Sequence, residues 1–228
     1  MTGPEGKAND TPPPAGPGRV ALFGGPGGGA IVAGYVAAFR AGGGEVVGLL
    51  NDAAEAGDRI NGHRVLGGFA DWRRLAADIR FLAPLHKVIQ GLGVPDARWA
   101  TLIDPRAAVA ADATLGPGCH VGPYAEIHPG ARLGRHVGVR GGAKISHDCA
   151  IGDFAFIGLN AIACGYVEIG EGAHIAPQAA IREELRVGRY AVVGLGAVVV
   201  SEVADFAIVA GNPARQIGTV PVLAAKEA

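Results

Sequence analysis

The chain has 228 residues, with 20 basic and 21 acidic side chains and a net charge of −1. That balance excludes a general attraction to nucleic acid or anionic lipid, and no apolar run reaches the roughly 18 residues of a membrane span. Glycine is abundant at 38 residues while aromatics make up only 6 %, an odd pairing for an ordinary packed core.

Residues 1–18, "MTGPEGKANDTPPPAGPG", are mostly Pro, Gly and small polar residues. They read as a disordered tail, because they bury too little apolar surface to offset the entropy of ordering. The stretch also lacks the basic-then-apolar order of a secretory signal. Cys119, Cys149 and Cys164 are an odd number with no paired spacing, which argues against a disulfide framework and fits a cytoplasmic protein.

From Arg19 the texture changes. "RVALF" reads as a buried strand, "GGPGGGA" as a turn, "IVAGYVAAFR" as a helix, and "EVVGLL" as a second strand ending at Asn51-Asp52. This strand–glycine turn–helix–strand order begins a Rossmann-like nucleotide-binding fold. "INGHRVLGG" and the helix-like "FADWRRLAADI" continue it to about residue 80, and "LHKVIQGL" reads as a helix leading into "ATLID". The domain is expected over residues 19–104.

Gly25-Pro26-Gly27-Gly28-Gly29-Ala30 fits G-x-G-x-x-G/A after a strand and before a helix, with Asp52 as the acid after the second strand. Alone this pattern could mean NAD, but the unit is too short for both halves of a dinucleotide fold. A glycine turn that only closes the strand–helix joint is the plainer alternative.

From Val109 a period of six takes over. Val109, Leu115, Val121, Ile127, Leu133, Val139, Ile145, Ile151, Ile157, Ala163, Ile169, Ile175, Ile181, Val187, Val193 and Val199 fall in register without an insertion. Four residues after each comes a second, usually small apolar residue, such as Ala113, Cys119, Ala125 or Ala131. Neither a helix nor an alternating strand has this period. A hexapeptide repeat instead predicts a β-helix, with the aliphatic inside and the small residue packed beside it. Glycines one place after the aliphatic (Gly116, Gly122, Gly134, Gly152, Gly158, Gly170, Gly188 and Gly194) are expected to supply the turn conformation. The β-helix is expected over residues 105–203, with a cap and tail over 204–228.

The sequence resembles the left-handed β-helix acyltransferases of the hexapeptide-repeat superfamily. It is most similar to the bacterial sugar-nucleotide N-acyltransferases, whose relatives include enzymes that O-acetylate sialic acids. "VALFGGPGGGAIVA", "INGHRVLGG", "ATLIDPRAAV", "ISHDCAIGD", "GYVEIGEGAHI", "VGLGAVVVSEV" and "VAGNPARQI" carry the likeness. The resemblance implies a small α/β domain joined to a left-handed parallel β-helix of about five coils, three hexads to a coil, assembled as a homotrimer. It implies acyl-CoA, by default acetyl-CoA, as co-substrate and the amino group of a nucleotide-linked deoxyamino sugar as acceptor.

His147 is the third residue of its hexad and so points outward. Eighteen residues away in either direction stand Pro129 and Gly165. A histidine beside a glycine on the next coil has room around it and an unobstructed backbone N–H nearby, and acyl transfer needs a base and an oxyanion donor. Asp148 is placed to fix the imidazole tautomer. The resemblance implies the same three roles for His147, Asp148 and Gly165. The plainer reading is a solvated surface histidine. Cys149, at a small-residue core position, reads as packing.

The resemblance also implies a coenzyme A groove along the upper coils, here Gly194, Gly196, Ala197 and the closing "AGNPAR" with Arg215 as a phosphate partner; the plainer alternative is that the turn is only the cap a solenoid needs. It implies phosphate binding by Gly24, Gly25, Gly27 and Gly28, with Asn51 and Asp52 near the base or ribose. Three departures stand out. Gly28 and Ala30 replace the usual histidine and cation of the loop, Arg140 replaces an asparagine seven residues before the base, and Phe156 replaces a second histidine nine residues after it. Arg140 thus points to an acceptor bearing a carboxylate or phosphate. No metal is expected: β-helix carbonic anhydrases use a histidine pair five residues apart, and none is present. Sugar O-acetylation and a non-catalytic β-helix scaffold or regulatory subunit are the alternatives.

Overall fold

A computed structural model describes residues 18–24, 34, 37, 39–83, 89 and 91–221. The expected tail, most of the glycine loop with Gly25, Gly27 and Gly28, and most of the two helices expected over "IVAGYVAAFR" and "LHKVIQGL" lie outside the described residues.

The N-terminal part is a five-stranded sheet. Strands β1 (Arg19–Phe23), β2 (Glu45–Leu50), β3 (Arg59–Ile60), β4 (His63–Gly67) and β5 (Arg80–Leu82) lie in the order β3-β4-β2-β1-β5. All neighbours are parallel except the β3–β4 hairpin. Because side chains alternate across a strand, Val20, Leu22, Leu49 and Leu82 pack on one face, and Ala21, Phe23, Leu50 and Phe81 on the other. Cover on both faces explains why these strands read as continuous apolar runs. The helix expected over "FADWRRLAADI" is a 3-10 turn, Phe69–Arg74, that ends where Leu75 turns extended. Trp72 is turned inward there, its indole Nε1 donating to the Leu92 carbonyl at 3.1 Å.

The rest is a parallel β-solenoid with three faces. The first face runs from Leu102–Ile103 through His120–Val121, Gly138–Val139, Phe156–Ile157 and His174–Ile175 to Val192–Val193. The second carries Glu126–Ile127, Lys144–Ile145, Ile162–Ala163 and Ala180–Ile181, and the third Arg132–Leu133, Ala150–Ile151 and Glu168–Ile169. Each residue pairs with the one 18 positions on, as Ile127 with Ile145 and Ile145 with Ala163. The aliphatics of the period and the small residues four places later fill the interior. The repeat shortens at the end: Val187 bridges to Val203, and Arg189 bonds Asp205 at a separation of 16. A hairpin, Ala207–Gly211 with Ala214–Thr219, closes the solenoid.

The glycines correct the expected turn chemistry. Left-handed backbone lies three residues after the aliphatic, not one. It recurs from Gly118 through Tyr124, His136, Asp148, Phe154, Asn160, Tyr166, Gln178 and Tyr190 to Gly196, with φ between +54° and +75°. Gly116, Gly134, Gly152, Gly170 and Gly188 are needed for another reason. A Cβ at Gly152 would lie 2.6 Å from the Glu171 nitrogen of the next coil, and one at Gly170 2.6 Å from the Arg189 nitrogen. Backbone packs directly on backbone along this corner.

The sheet and the solenoid meet at the corner between the third and first faces. There Trp99 meets His136 edge to face at 4.7 Å, and His136 stacks on Phe154 at 5.1 Å. Arg135 reaches Asp96 and Asp153 at 3.7 and 2.9 Å.

Candidate active site

His147 follows the Lys144–Ile145 strand, on the corner between the second and third faces. Its Nδ1 lies 3.0 Å from Asp148 Oδ2, and both side chains are about half exposed, at 50 % and 45 %. A proton on Nδ1 directed at the carboxylate leaves the Nε2 lone pair free, the tautomer a base requires. Asp148 is left-handed, φ +57°, a conformation aspartate tolerates better than most residues. Its amide donates to Pro129 O at 3.0 Å. Its carboxylate leans down over Gly130, where any Cβ would collide with Oδ1.

Gly165 stands one coil above His147. A Cβ there would lie 2.7 Å from both Cε1 and Nε2 of the imidazole, so only glycine leaves the ring in this place. The Gly165 amide donates to nothing among the described residues. One small shelf thus holds a basic nitrogen, an oriented carboxylate and a free N–H.

Sequence reasoning missed Tyr166. Its ring meets His147 edge to face, centroids 5.0 Å apart at 87°, and its amide donates to the His147 carbonyl at 3.1 Å. The signal was available: 18 residues beyond Asp148 is Tyr166. A polar group flanks the site on the second face. Glu126 bridges Lys144 and His128, and Lys144 first, then His128, holds its carboxyl below the usual carboxylate range.

No family model matches the chain. Solved structures do. The acetyltransferase domain of PglB from Neisseria gonorrhoeae, in complex with acetyl coenzyme A, superposes with a TM-score of 0.76 at 30 % identity, covering 89 % of this chain and 100 % of that one. The chain belongs to the hexapeptide-repeat β-helix acetyltransferases. PerB from Caulobacter crescentus, solved with CoA and GDP-perosamine, shares the fold at a TM-score of 0.75 and 24 % identity, over 88 % of this chain and 97 % of that one. Among curated relatives, the acyl-[acyl-carrier-protein]–UDP-N-acetylglucosamine O-acyltransferase of Burkholderia lata is 32 % identical over 74 residues, 32 % of this chain. That match spans 28 % of the length of the relative.

The remaining expected residues of this acyltransferase lie elsewhere. Arg140 is on the corner between the first and second faces, at the other end of the segment that leads through Lys144–Ile145 to His147. Phe156, on the first face, stacks on His174 at 4.7 Å. Gly196 is left-handed with open space about it, and a Cβ on Gly194 would touch Ala210 at 3.0 Å. Ala197 is fully buried, its methyl in the core and its amide donating to Gly194 O at 3.2 Å. Arg215 lies on the closing hairpin, its Nη1 donating to Ala214 O at 2.9 Å. It lines a cavity of about 170 Å³ with Ser201, Glu202 and Gln216.

Gly24, Asn51 and Asp52 come together at the carboxyl ends of β1 and β2, joined by a bond from Gly24 N to Leu50 O at 3.0 Å. Asn51 is buried, its Oδ1 accepting from Ala53 N at 2.7 Å, and Asp52 Oδ1 accepts from Phe69 N. Both side chains therefore fix the loop around this edge. Among the described residues no group of three His, Cys, Asp or Glu is placed to hold a metal. No described helix is long and apolar enough to cross a membrane.

Proposed function

We propose that this acyltransferase moves an acetyl group from acetyl-CoA to the amino group of a nucleotide-linked deoxyamino sugar. The observation that carries the reading is the His147–Asp148 pair with Nε2 against Gly165. The amine nitrogen attacks the thioester carbonyl, and His147 Nε2 takes the proton that the nitrogen loses. The carbonyl oxygen becomes an oxyanion held by the Gly165 N–H. Collapse breaks the C–S bond, and the leaving thiolate takes the proton from the imidazolium, giving amide and free CoA. Asp148 holds the ring and stabilises its charged form. A base of this kind contributes about 10²–10⁴ in rate, and holding amine and thioester together contributes much of the rest.

The layout that goes with this reading is a Rossmann-like nucleotide domain over 19–104 and a left-handed β-helix of about five coils over 105–203, followed by a cap and tail. The sugar nucleotide sits at the β1 and β2 ends, with its phosphates at the glycine loop. CoA runs along the Gly194–Ala197 coil toward Arg215, and Arg140 meets an anionic group of the acceptor. The working form is a cytoplasmic homotrimer with sites between subunits. Bound acetyl-CoA in the PglB domain supports the donor. Transfer to a sugar hydroxyl is the second reading, supported by the likeness over 74 residues to an O-acyltransferase.

The test is thiol release from acetyl-CoA with UDP-, dTDP- and GDP-linked 3-amino and 4-amino sugars, beside matched sugars carrying hydroxyl in place of amine. Turnover on an amino sugar, reduced at least 100-fold in His147→Ala, is expected. A His147→Ala variant within tenfold of wild type removes the histidine from the chemistry. Turnover confined to the hydroxyl sugars selects the second reading.

A further inference from the structure

Left-handed corner residues in this solenoid lean down onto the coil beneath. His136 overlies Gly118, Asp148 overlies Gly130, Asn160 overlies Gly142 and Tyr190 overlies Gly172; in each case a Cβ on the glycine would strike the upper side chain. Tyr166 breaks the pattern, because Asp148 and not glycine stands below it. Its ring sits instead against the His147 imidazole.

The other tyrosines at this backbone position have structural partners. Tyr124 lies under the Arg106 guanidinium at 5.3 Å. Tyr190 stacks on Phe206 and donates to Glu171 Oε1 at 2.8 Å. Tyr166 has His147 as its ring partner, its hydroxyl has no partner among the described residues, and it is 55 % exposed.

We propose that Tyr166 determines acceptor specificity: its exposed ring is the wall on which the pyranose of the amino sugar packs while its amine faces His147 Nε2. The inference rests on the transfer reading above and adds the residue that selects the sugar. An aromatic face is electron-rich and attracts the polarised C–H groups of one pyranose face. A deoxy carbon enlarges that apolar face, so the wall favours deoxy sugars over fully hydroxylated ones. Its contact with the imidazole ties the orientation of the sugar to that of the base.

The experiment compares Tyr166→Phe and Tyr166→Asn with wild type, using acetyl-CoA and either GDP-perosamine or dTDP-4-amino-4,6-dideoxyglucose. Asparagine suits a left-handed position, so Tyr166→Asn should melt no lower than wild type. Tyr166→Gln is the second variant, since Gln178 holds the same corner conformation. The expected result is a KM for the amino sugar raised about tenfold in Tyr166→Asn and Tyr166→Gln, with the KM for acetyl-CoA unmoved and kcat within threefold. Tyr166→Phe should stay within twofold throughout. Unchanged sugar KM in folded variants, or a shift in the acetyl-CoA KM instead, overturns the inference while leaving the transfer reading intact. No turnover by wild type of any UDP-, dTDP- or GDP-linked amino sugar rejects both.

Discussion

Gly165 and His147 stand one above the other so closely that a methyl group on the glycine would lie 2.7 Å from the imidazole Nε2. The atoms that methyl would strike all belong to the His147 side chain, which can swing outward into solvent. Substitution should therefore separate activity from folding. Gly165→Ala is expected to lower kcat/KM by about 100-fold, the scale of a displacement near 1 Å at a reacting group. Its melting temperature should stay within about 2 °C of wild type, as for a change that leaves the core alone. Full activity in Gly165→Ala would show that the ring does not work from this position.

Two other glycines should respond in opposite ways to the same substitutions. A Cβ on Gly152 meets the backbone of the next coil at 2.6 Å, which cannot yield without separating the coils. Gly196 is left-handed at φ +61° but has open space around it. Gly152→Ala is expected to cost about 3 kcal/mol, or about 6–12 °C in Tm for a chain of this size. Gly196→Ala should cost about 1 kcal/mol. Gly196→Asn should recover most of that loss, and Gly152→Asn should recover none. Thermal unfolding of the four variants tests the assignment, and rescue at Gly152 would contradict it.

The hexapeptide register was legible because the interior of a narrow solenoid tolerates few side chains. Ile127, Ile145 and Ile181 must be aliphatic, and Ala125, Ala143 and Ala179 must be small. The strand pairs Ile127–Ile145 and Ala163–Ile181 follow from counting by 18. The role of the glycines was misread because two backbone demands repeat at the same period, a close approach one residue after the aliphatic and a left-handed turn three residues after it. Tyr, Phe and Gln fill the second position as well as Gly, so composition did not reveal it. His147 and Asp148 stood out because they are adjacent in sequence. Tyr166 did not, since its contact exists only through stacking of the coils. The strands "RVALF" and "EVVGLL" were clear from apolar runs, whereas "FADWRRLAADI" has helical spacing but stops after Arg74, where Leu75 turns extended.

The cysteines should divide by burial. Cys119 is fully enclosed, and burial pushes its thiol up to about 12. Burial also raises Cys149, whose Sγ donates to Cys164 O at 3.0 Å. Cys164 is partly exposed. Because the thiolate is the reactive form, iodoacetamide at pH 8 should label Cys164 in the native protein and leave the other two until denaturation. Mass spectrometry of the native adduct reads this directly; modified Cys119 would mean that the coil opens.

Asp104 anchors the start of the solenoid. It is 4 % exposed, and both oxygens accept from the Arg106 guanidinium, at 2.9 and 3.0 Å. The Arg106 side chain first, then its backbone amide, holds the Asp104 carboxyl below the usual range. A carboxyl lowered by folding stabilises the native state above its unfolded value and loses that contribution as pH falls through the folded one. Asp104→Asn should therefore lower Tm at pH 7 by a few degrees, at about 2–4 °C per kcal/mol. The gap to wild type should narrow steadily as the pH drops below about 4. A gap that is constant from pH 7 to pH 3 would assign the loss to packing.

The corner between the first and second faces bears on assembly. Leu159 and Leu195 are 50 % and 73 % exposed, Pro177 stands between them in register, and Ile162 beside them is 39 % exposed. Large aliphatics stacked in a column on the surface mark a contact surface more often than a solvated one. In the proposed trimer this ridge faces a second copy, whose His147 corner then borders the same groove. Replacing Leu159 and Leu195 by Asp would bury like charges there at a cost no rim contact offsets. Light scattering should give three times the chain mass for wild type and a single chain mass for the double variant. Because neither residue turns inward, the double variant should keep its circular dichroism while losing thiol release from acetyl-CoA. A double variant that is monomeric yet fully active would place the whole site within one chain, and a trimeric one would move the interface to another face.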